Sequence, residues 1–183
     1  MNAEALAREL GIEGRSLRRA ISAGTTGRRT SKRGLAVDED EQAYLRTHWE
    51  LLARLRSGLR TEPNVRVAVL FGSAARGDDR ASSDIDLAIS FKRDTTNREI
   101  REMQARLGRK VDRRVELFRL EGMRDGAPVL APVLAQGRPI VDRGGLWPSL
   151  LGERRNVVRR AKRSSERRWR YIRERLSEQP LSR

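Results

Sequence analysis

Asp84 and Asp86 stand two residues apart at the head of an apolar run that continues through Leu87, Ala88 and Ile89. In an extended strand, residues two apart share a face, so both carboxylates project together while Ile85, Leu87 and Ile89 enter the core. Two like charges held side by side repel, and a bound divalent cation is the usual relief. Mg²⁺ suits such a pair, because it takes one or two carboxylates together with substrate phosphate oxygens. About a dozen residues earlier, Gly72-Ser73 comes after another apolar run, Val65 to Phe71. Glycine lets the backbone come close to a ligand, and successive N–H groups beside a serine hydroxyl can cradle a phosphate. Each signal alone is common, since Asp-x-Asp opens many strands and Gly-Ser is mostly a turn. Together, each at a strand end, they make a place for a polyphosphate and the metal ions that travel with it.

The surrounding chain must position these groups. Val65, Val67, Val69 and Phe71 alternate against Arg66, Ala68 and Leu70, and Ile85, Leu87, Ile89 and Phe91 against Asp84, Asp86, Ala88 and Ser90, which predicts two strands. An amphipathic helix is expected between Asp94 and Leu107 with Ile100, Met103 and Leu107 inward. A third strand is expected from Val111 to Leu117, a short helix from Ala127 to Ala135, and a last strand from Pro139 to Val141. Strands alternating with helices over this length predict an α/β (α+β) domain with a small mixed sheet. The expected organisation is a helical segment and basic linker over 1–37, a connecting helix over 38–60, the sheet domain over 61–145, and a basic C-terminal helix over 146–183.

Gly72-Ser73-Ala74-Ala75-Arg76-Gly77, and then Ser83-Asp84-Ile85-Asp86-Leu87, resembles the signature of the minimal nucleotidyltransferases of the DNA polymerase β superfamily. The resemblance covers roughly residues 65–141. It implies two Mg²⁺ ions held by Asp84 and Asp86, and a nucleoside triphosphate whose phosphates rest on Gly72 and Ser73 with Arg76 nearby. It implies transfer of a nucleoside monophosphate to an acceptor, with release of pyrophosphate.

A two-metal displacement of this kind also asks for a third carboxylate on an adjacent strand, usually an aspartate in this family. The chain offers Glu116 within Val115-Glu116-Leu117 and Asp112 after Val111. Four residues apart on one expected strand, they share a face, so parity does not choose between them. The apolar flanks favour Glu116 as third metal ligand and activator of the acceptor, whereas Arg113-Arg114 suggests that Asp112 lies near solvent. Glutamate departs from the usual aspartate.

Composition bounds the partners. Among 183 residues, 40 are Lys or Arg against 25 Asp or Glu, a net charge of +15. Nearly all of the excess is arginine, which pairs phosphate through a planar fork and so favours a polyanionic partner, nucleic acid first. The charge gathers at the ends: eight basic residues against three acids up to Val37, and twelve against four from Leu146 onward. Asn2 to Leu10 and Leu17 to Ile21, joined by a Gly-containing turn, resemble the helix-turn-helix of small bacterial DNA-binding proteins. Ser22 to Gly34 has no apolar period and is expected to be a basic linker. In the C-terminal helix Trp147, Leu151, Val158, Ala161, Trp169, Ile172 and Leu176 are expected to form one apolar stripe. His48 stands alone, without a second histidine or any cysteine, so a structural role is expected.

The absence of cysteine fits a reducing compartment, and no apolar run or signal-like start is visible, so a cytoplasmic protein with no membrane association is expected. The expected function is Mg²⁺-dependent transfer of a nucleoside monophosphate from an NTP to a hydroxyl of RNA, such as tRNA, or of a protein such as a partner toxin. The alternative is an antitoxin or DNA-binding regulator whose nucleotidyltransferase domain is weak or inactive.

Overall fold

A computed structural model describes residues 1–26, 29–31, 34–124 and 127–177 of the chain. The first two helices, α1 (Ala3–Glu9) and α2 (Gly14–Ser22), bury Leu6, Leu17 and Ile21 against each other and the rest of the core. Next comes a small hairpin, β1 (Arg29–Ser31) against β2 (Gly34–Ala36), whose end also bridges back to Asn2. The expected linker over Ser22 to Gly34 is therefore corrected in part. Thr25 and Thr26 are buried, and the polar run after them pairs backbone to backbone, which needs no apolar period.

Helix α3 (Glu39–Arg60) is opened by Asp38, whose side chain accepts from the Glu41 N–H, with Glu39, Asp40 and Glu41 at the positive end of the dipole. Its buried Leu45, Leu52, Leu55 and Leu59 cover one face of the main sheet, each contributing roughly 1.5–3 kcal/mol on full burial. Arg143 then secures the far end of α3 by donating to the carbonyls of Leu59 at 2.9 Å, Glu62 at 2.6 Å and Val65 at 2.8 Å.

The chain continues as β3 (Val65–Phe71), α4 (Gly72–Arg76), β4 (Ile85–Phe91), α5 (Asn97–Val111), β5 (Val115–Arg119), α6 (Leu120–Arg124), α7 (Ala127–Gln136), β6 (Arg138–Asp142) and α8 (Leu146–Ser177). The sheet order is β5-β4-β3-β6, with β4 and β5 parallel and the other neighbours antiparallel. This is the small mixed sheet expected. Helices α3 and α5 pack on one face together with the N-terminal pair, and α6, α7 and α8 on the other.

A register shift between Val65 and Val67 alters the simple alternation in β3. Val65 joins Ala68 and Leu70 toward α3, while Val67, Val69 and Phe71 face α7 and α8, because an extra residue in one strand turns the positions after it to the opposite side. Helix α5 is opened by a capping box between Thr96 and Glu99 and buries Met103, Leu107 and Val111.

The stripe expected on the C-terminal helix is also corrected. Asp142 fixes the start of α8 by accepting from the N–H groups of Leu146 at 3.0 Å and Trp147 at 3.2 Å, and that phase buries Trp147, Leu150 and Val157. Leu151 and Val158 are left outside at 39% and 40% exposure. The side chains of Trp169, Ile172 and Leu176 lie outside the described residues. Among the described residues, no helix is long and apolar enough to cross a membrane.

Candidate active site

Strand β4 is central, and Asp86 is paired on both sides: across from Phe71 in antiparallel β3 and from Glu116 in parallel β5. Because β3 ends at Phe71, Asp86 sits beside the point where that strand breaks into Gly72-Ser73. Gly72 takes φ +72°, and a Cβ built there would run into the Asp86 carboxylate. Only glycine permits both that backbone and that approach. Phe71, at the N-cap of α4, makes no side-chain cap bond, so no capping side chain satisfies the first N–H groups of the turn. Phe71 and Phe118 meet edge to face at 5.4 Å on the same sheet face, a dry floor beside the acids.

Asp84 directly precedes β4, on the same side as Asp86, with its side chain 37% exposed. The Arg114 guanidinium reaches from the adjoining β5 end to Asp84 at 3.6 Å and to Glu116 at 2.6 Å. Burial, then the charges of Glu116 and Asp84, push the Asp86 carboxyl above its ordinary range. The three acids named from the sequence are therefore close enough to act on one another electrically. Among the described residues, no three His, Asp or Glu side chains close into a ready-made metal cage. Arg76 lies in the last turn of α4, exposed and donating to Asp78 at 3.0 Å.

Asp112 is not part of the strand. It ends α5 in the left-handed conformation at φ +56°, exposed, and β5 begins only at Val115. The expectation that Val111 to Leu117 forms one strand, with both acids on one face, is thus corrected: the helix runs on to Val111, and the turn that reverses direction consumes residues 112–114. Of the two candidates, Glu116 alone faces Asp86.

Sequence reasoning missed the supports of the site. Arg113 is only 17% exposed, and its guanidinium donates to Asp79 at 2.6 Å and to the Ser83 carbonyl at 2.6 and 2.9 Å. The other Asp79 oxygen meets His48 Nε2 at 2.7 Å. This clasp fixes the loop that delivers Asp84, and gives His48 the structural role expected of it. Above the clasp, Tyr44 stacks on His48 with ring centroids 4.5 Å apart and donates to the Ala74 carbonyl at 3.0 Å. Burial pushes the Tyr44 hydroxyl above its usual range. Arg138 lies 3.5 Å over the Tyr44 ring and donates to the Ala75 carbonyl at 2.7 Å. A two-pronged fork joins it to Glu41 at 2.6 and 3.0 Å. Apart from the Tyr44–His48 stack within α3, no local pattern announces these contacts, because each joins residues tens of positions apart.

The clasp yields a testable pH dependence. Burial alone pushes the Asp79 carboxyl up, but the hydrogen bonds and charges of His48 and Arg113 outweigh it and hold the carboxyl below its ordinary range. A depressed native value stabilises the fold above the unfolded range near pH ~4, and that contribution is lost as pH falls through the native value. Asp79→Asn should cost about 1.5–3 kcal/mol at neutral pH. In urea melts taken from neutral pH downward, the gap between wild type and variant should close in acid; a gap independent of pH would refute this account.

Residues 54–144 match the family model described as Polymerase beta, Nucleotidyltransferase, and the chain carries a domain of that family. No curated protein matches the sequence. Among solved structures, a chain of a toxin–antitoxin complex with AMP-PNP superposes with a TM-score of 0.51 at 21% identity, covering 68% of this chain and 98% of that one. A chain of a mutant of the toxin–antitoxin MntA–HpeT gives 0.54 at 18% identity, with the same coverage. At these identities the likeness is one of fold. Nearly the whole of each relative is matched, so the remainder of this chain is added to the shared core.

Proposed function

We propose that the protein is a Mg²⁺-dependent nucleotidyltransferase that moves a nucleoside monophosphate from an NTP to a hydroxyl acceptor. The observation that carries this reading is the double pairing of Asp86, which sets one carboxylate beside both the Gly72-Ser73 turn and Glu116. The donor set fits Mg²⁺: it offers carboxylate oxygens only, and the charge crowded around Asp86 is relieved by a divalent cation. Asp84, Asp86 and Glu116 would hold the ions, and the open arrangement leaves room for phosphate oxygens as further ligands. When bound, the ions supply Lewis-acid polarisation of the phosphoryl oxygens.

The chain's own residues do the rest. Backbone N–H groups at Gly72 and Ser73, with the Ser73 hydroxyl, hold the triphosphate, and Arg76 stands close enough to exchange Asp78 for a phosphate. The acceptor oxygen bonds to the α-phosphorus, the bond to pyrophosphate breaks, and a Glu116 carboxylate oxygen takes the hydroxyl proton. Arg114 must yield Glu116 for this and is free, on its exposed side chain, to pair the departing pyrophosphate.

ATP is the donor to try first, since a relative of the same fold was solved with AMP-PNP. A partner toxin protein is favoured as acceptor by the toxin–antitoxin complexes in which that fold occurs, and RNA such as tRNA by the basic ends. The test offers both acceptors with Mg²⁺ and each labelled NTP in turn, beside Asp84→Ala/Asp86→Ala. Label should enter an acceptor with wild type only; equal labelling by the double variant would end the proposal.

A second reading is favoured by Arg114, which closes on Glu116 and Asp84, and by the α1–α2 pair: a nucleic-acid-binding antitoxin or regulator with a weak transferase domain. DNA binding that survives the double variant and falls steeply with salt, in the absence of any labelled acceptor, would support it.

A further inference from the structure

A cleft of about 560 Å³ opens between α2 and α3, lined by Ile12, Ser16, Arg19, Trp49, Arg56 and Arg60 among others. Its volume is that of a small-molecule site, commonly ~300–1,000 Å³. No residue of the acid cluster or of the Gly72-Ser73 turn lines it, and most of its wall precedes the span that matches the family.

Three arginines, Arg19, Arg56 and Arg60, line this cleft. Among the described residues, no carboxylate forms an ion pair with Arg19, Arg56 or Arg60. Glu13, the one acid on the wall, has both oxygens hydrogen-bonded to Arg15 at 2.6 and 2.8 Å, and its charge reaches Arg19 only more weakly. Arg56 is half-buried, and its one polar contact among the described residues is donation to the Thr25 hydroxyl at 3.2 Å. Burial, and then the charge of Arg19, make the Arg56 cation harder to hold, so an anion entering the cleft would relieve both. Beside the arginines, Glu13 and two serines, Ser16 and Ser57, the wall is apolar, with Trp49, Ile12, Ala20, Leu52 and Ala53 lining it.

We propose that this cleft is a second binding site, which takes a nucleoside phosphate with its phosphates on Arg19, Arg56 and Arg60 and its base against Trp49. Guanidinium forks match phosphate oxygens, and a broad indole offers a stacking face to any base. The ligand reaches the site either as a free nucleotide or as the 5′-phosphorylated end of an RNA strand. Arg56 also joins the cleft to α4, since Thr25 accepts from it while the Thr25 carbonyl accepts from Arg138, which holds Ala75.

The test is calorimetry on the full chain in EDTA, which removes metal-dependent binding at the acid cluster. The probes are AMP, ATP, inorganic phosphate, and an oligoribonucleotide with a 5′-phosphate or a 5′-hydroxyl. AMP or ATP should bind at one site, and Arg56→Gln and the rim variant Arg60→Gln should each weaken binding by about tenfold or more. Trp49→Leu should weaken nucleotides and spare inorganic phosphate. Tighter binding of the 5′-phosphorylated strand than of AMP names the RNA end as source; the reverse order names the free nucleotide. Nucleotide binding unchanged in Arg56→Gln and Arg60→Gln, or no binding of AMP, ATP or the 5′-phosphorylated strand, overturns the proposal. Because the readout needs neither metal nor transfer, failure of the labelling assay leaves it standing.

Discussion

Asp86→Asn should lose transfer activity by at least about 10²–10³-fold, the scale seen when one preorganised electrostatic group is removed, while the metal-free protein becomes more stable. Asparagine keeps the shape that Gly72 accommodates but removes the charge that burial, Glu116 and Asp84 all disfavour. A native value above the unfolded one means that the folded chain binds the proton more tightly, so ionisation at neutral pH costs stability. Removing it should yield roughly 0.5–2 kcal/mol, or about 2–4 °C in Tm per kcal/mol for a chain of this size. The gain should shrink as pH falls through the native value, where wild type is already neutral. Mg²⁺ should raise the Tm of wild type and leave the variant unmoved. Paired melts with Mg²⁺ and with EDTA check this; a variant less stable than wild type in EDTA would show that Asp86 is a structural anchor and not a strained ligand.

Arg138→Ala should be the most destabilising single change, by about 3–5 kcal/mol, the cost of orphaning one partner of a buried pair. Arg138 and Glu41 are only 15% and 9% exposed. The same guanidinium stacks on Tyr44 and donates to the carbonyls of Thr25 and Ala75. Its removal therefore leaves a carboxylate and two carbonyls without their donor, and empties the space over an aromatic ring. Thermal melts should fall by about 6–20 °C. Arg138→Met combined with Glu41→Leu should recover much of the loss, since apolar replacement of both partners is often neutral. A single variant that melts within about 2 °C of wild type would show the pair to be dispensable.

Legibility in the sequence depends on distance along the chain. Gly72-Ser73 and Asp84-x-Asp86 are local patterns whose spacing in a strand dictates direction, and the structure sets both beside each other as period two requires. Glu116 over Asp112 is readable only from its flanks, and the decisive fact, the left-handed end of α5 at Asp112, depends on where a helix stops. The Asp79 clasp and the Arg138 fork are not readable at all. In sequence they are ordinary charged residues, and only the packing of α3 against α4 and β6 makes them partners. The stripe expected on α8 holds at Trp147 but is displaced by one position after it, where Leu150 and Val157 are buried in place of Leu151 and Val158.

The Arg138 fork bears on where the molecule can be divided. The span that matches the family starts at residue 54, yet Arg138 within it is clasped by Glu41, Tyr44 and Thr25, all upstream. The Thr25 hydroxyl in turn donates to the Pro139 carbonyl. A fragment starting at residue 54 would keep the sheet and the acids but strip Arg138 of Glu41, Tyr44 and Thr25. A cut at the family border would therefore sever the ties that join β6 to α3 and to the segment after α2.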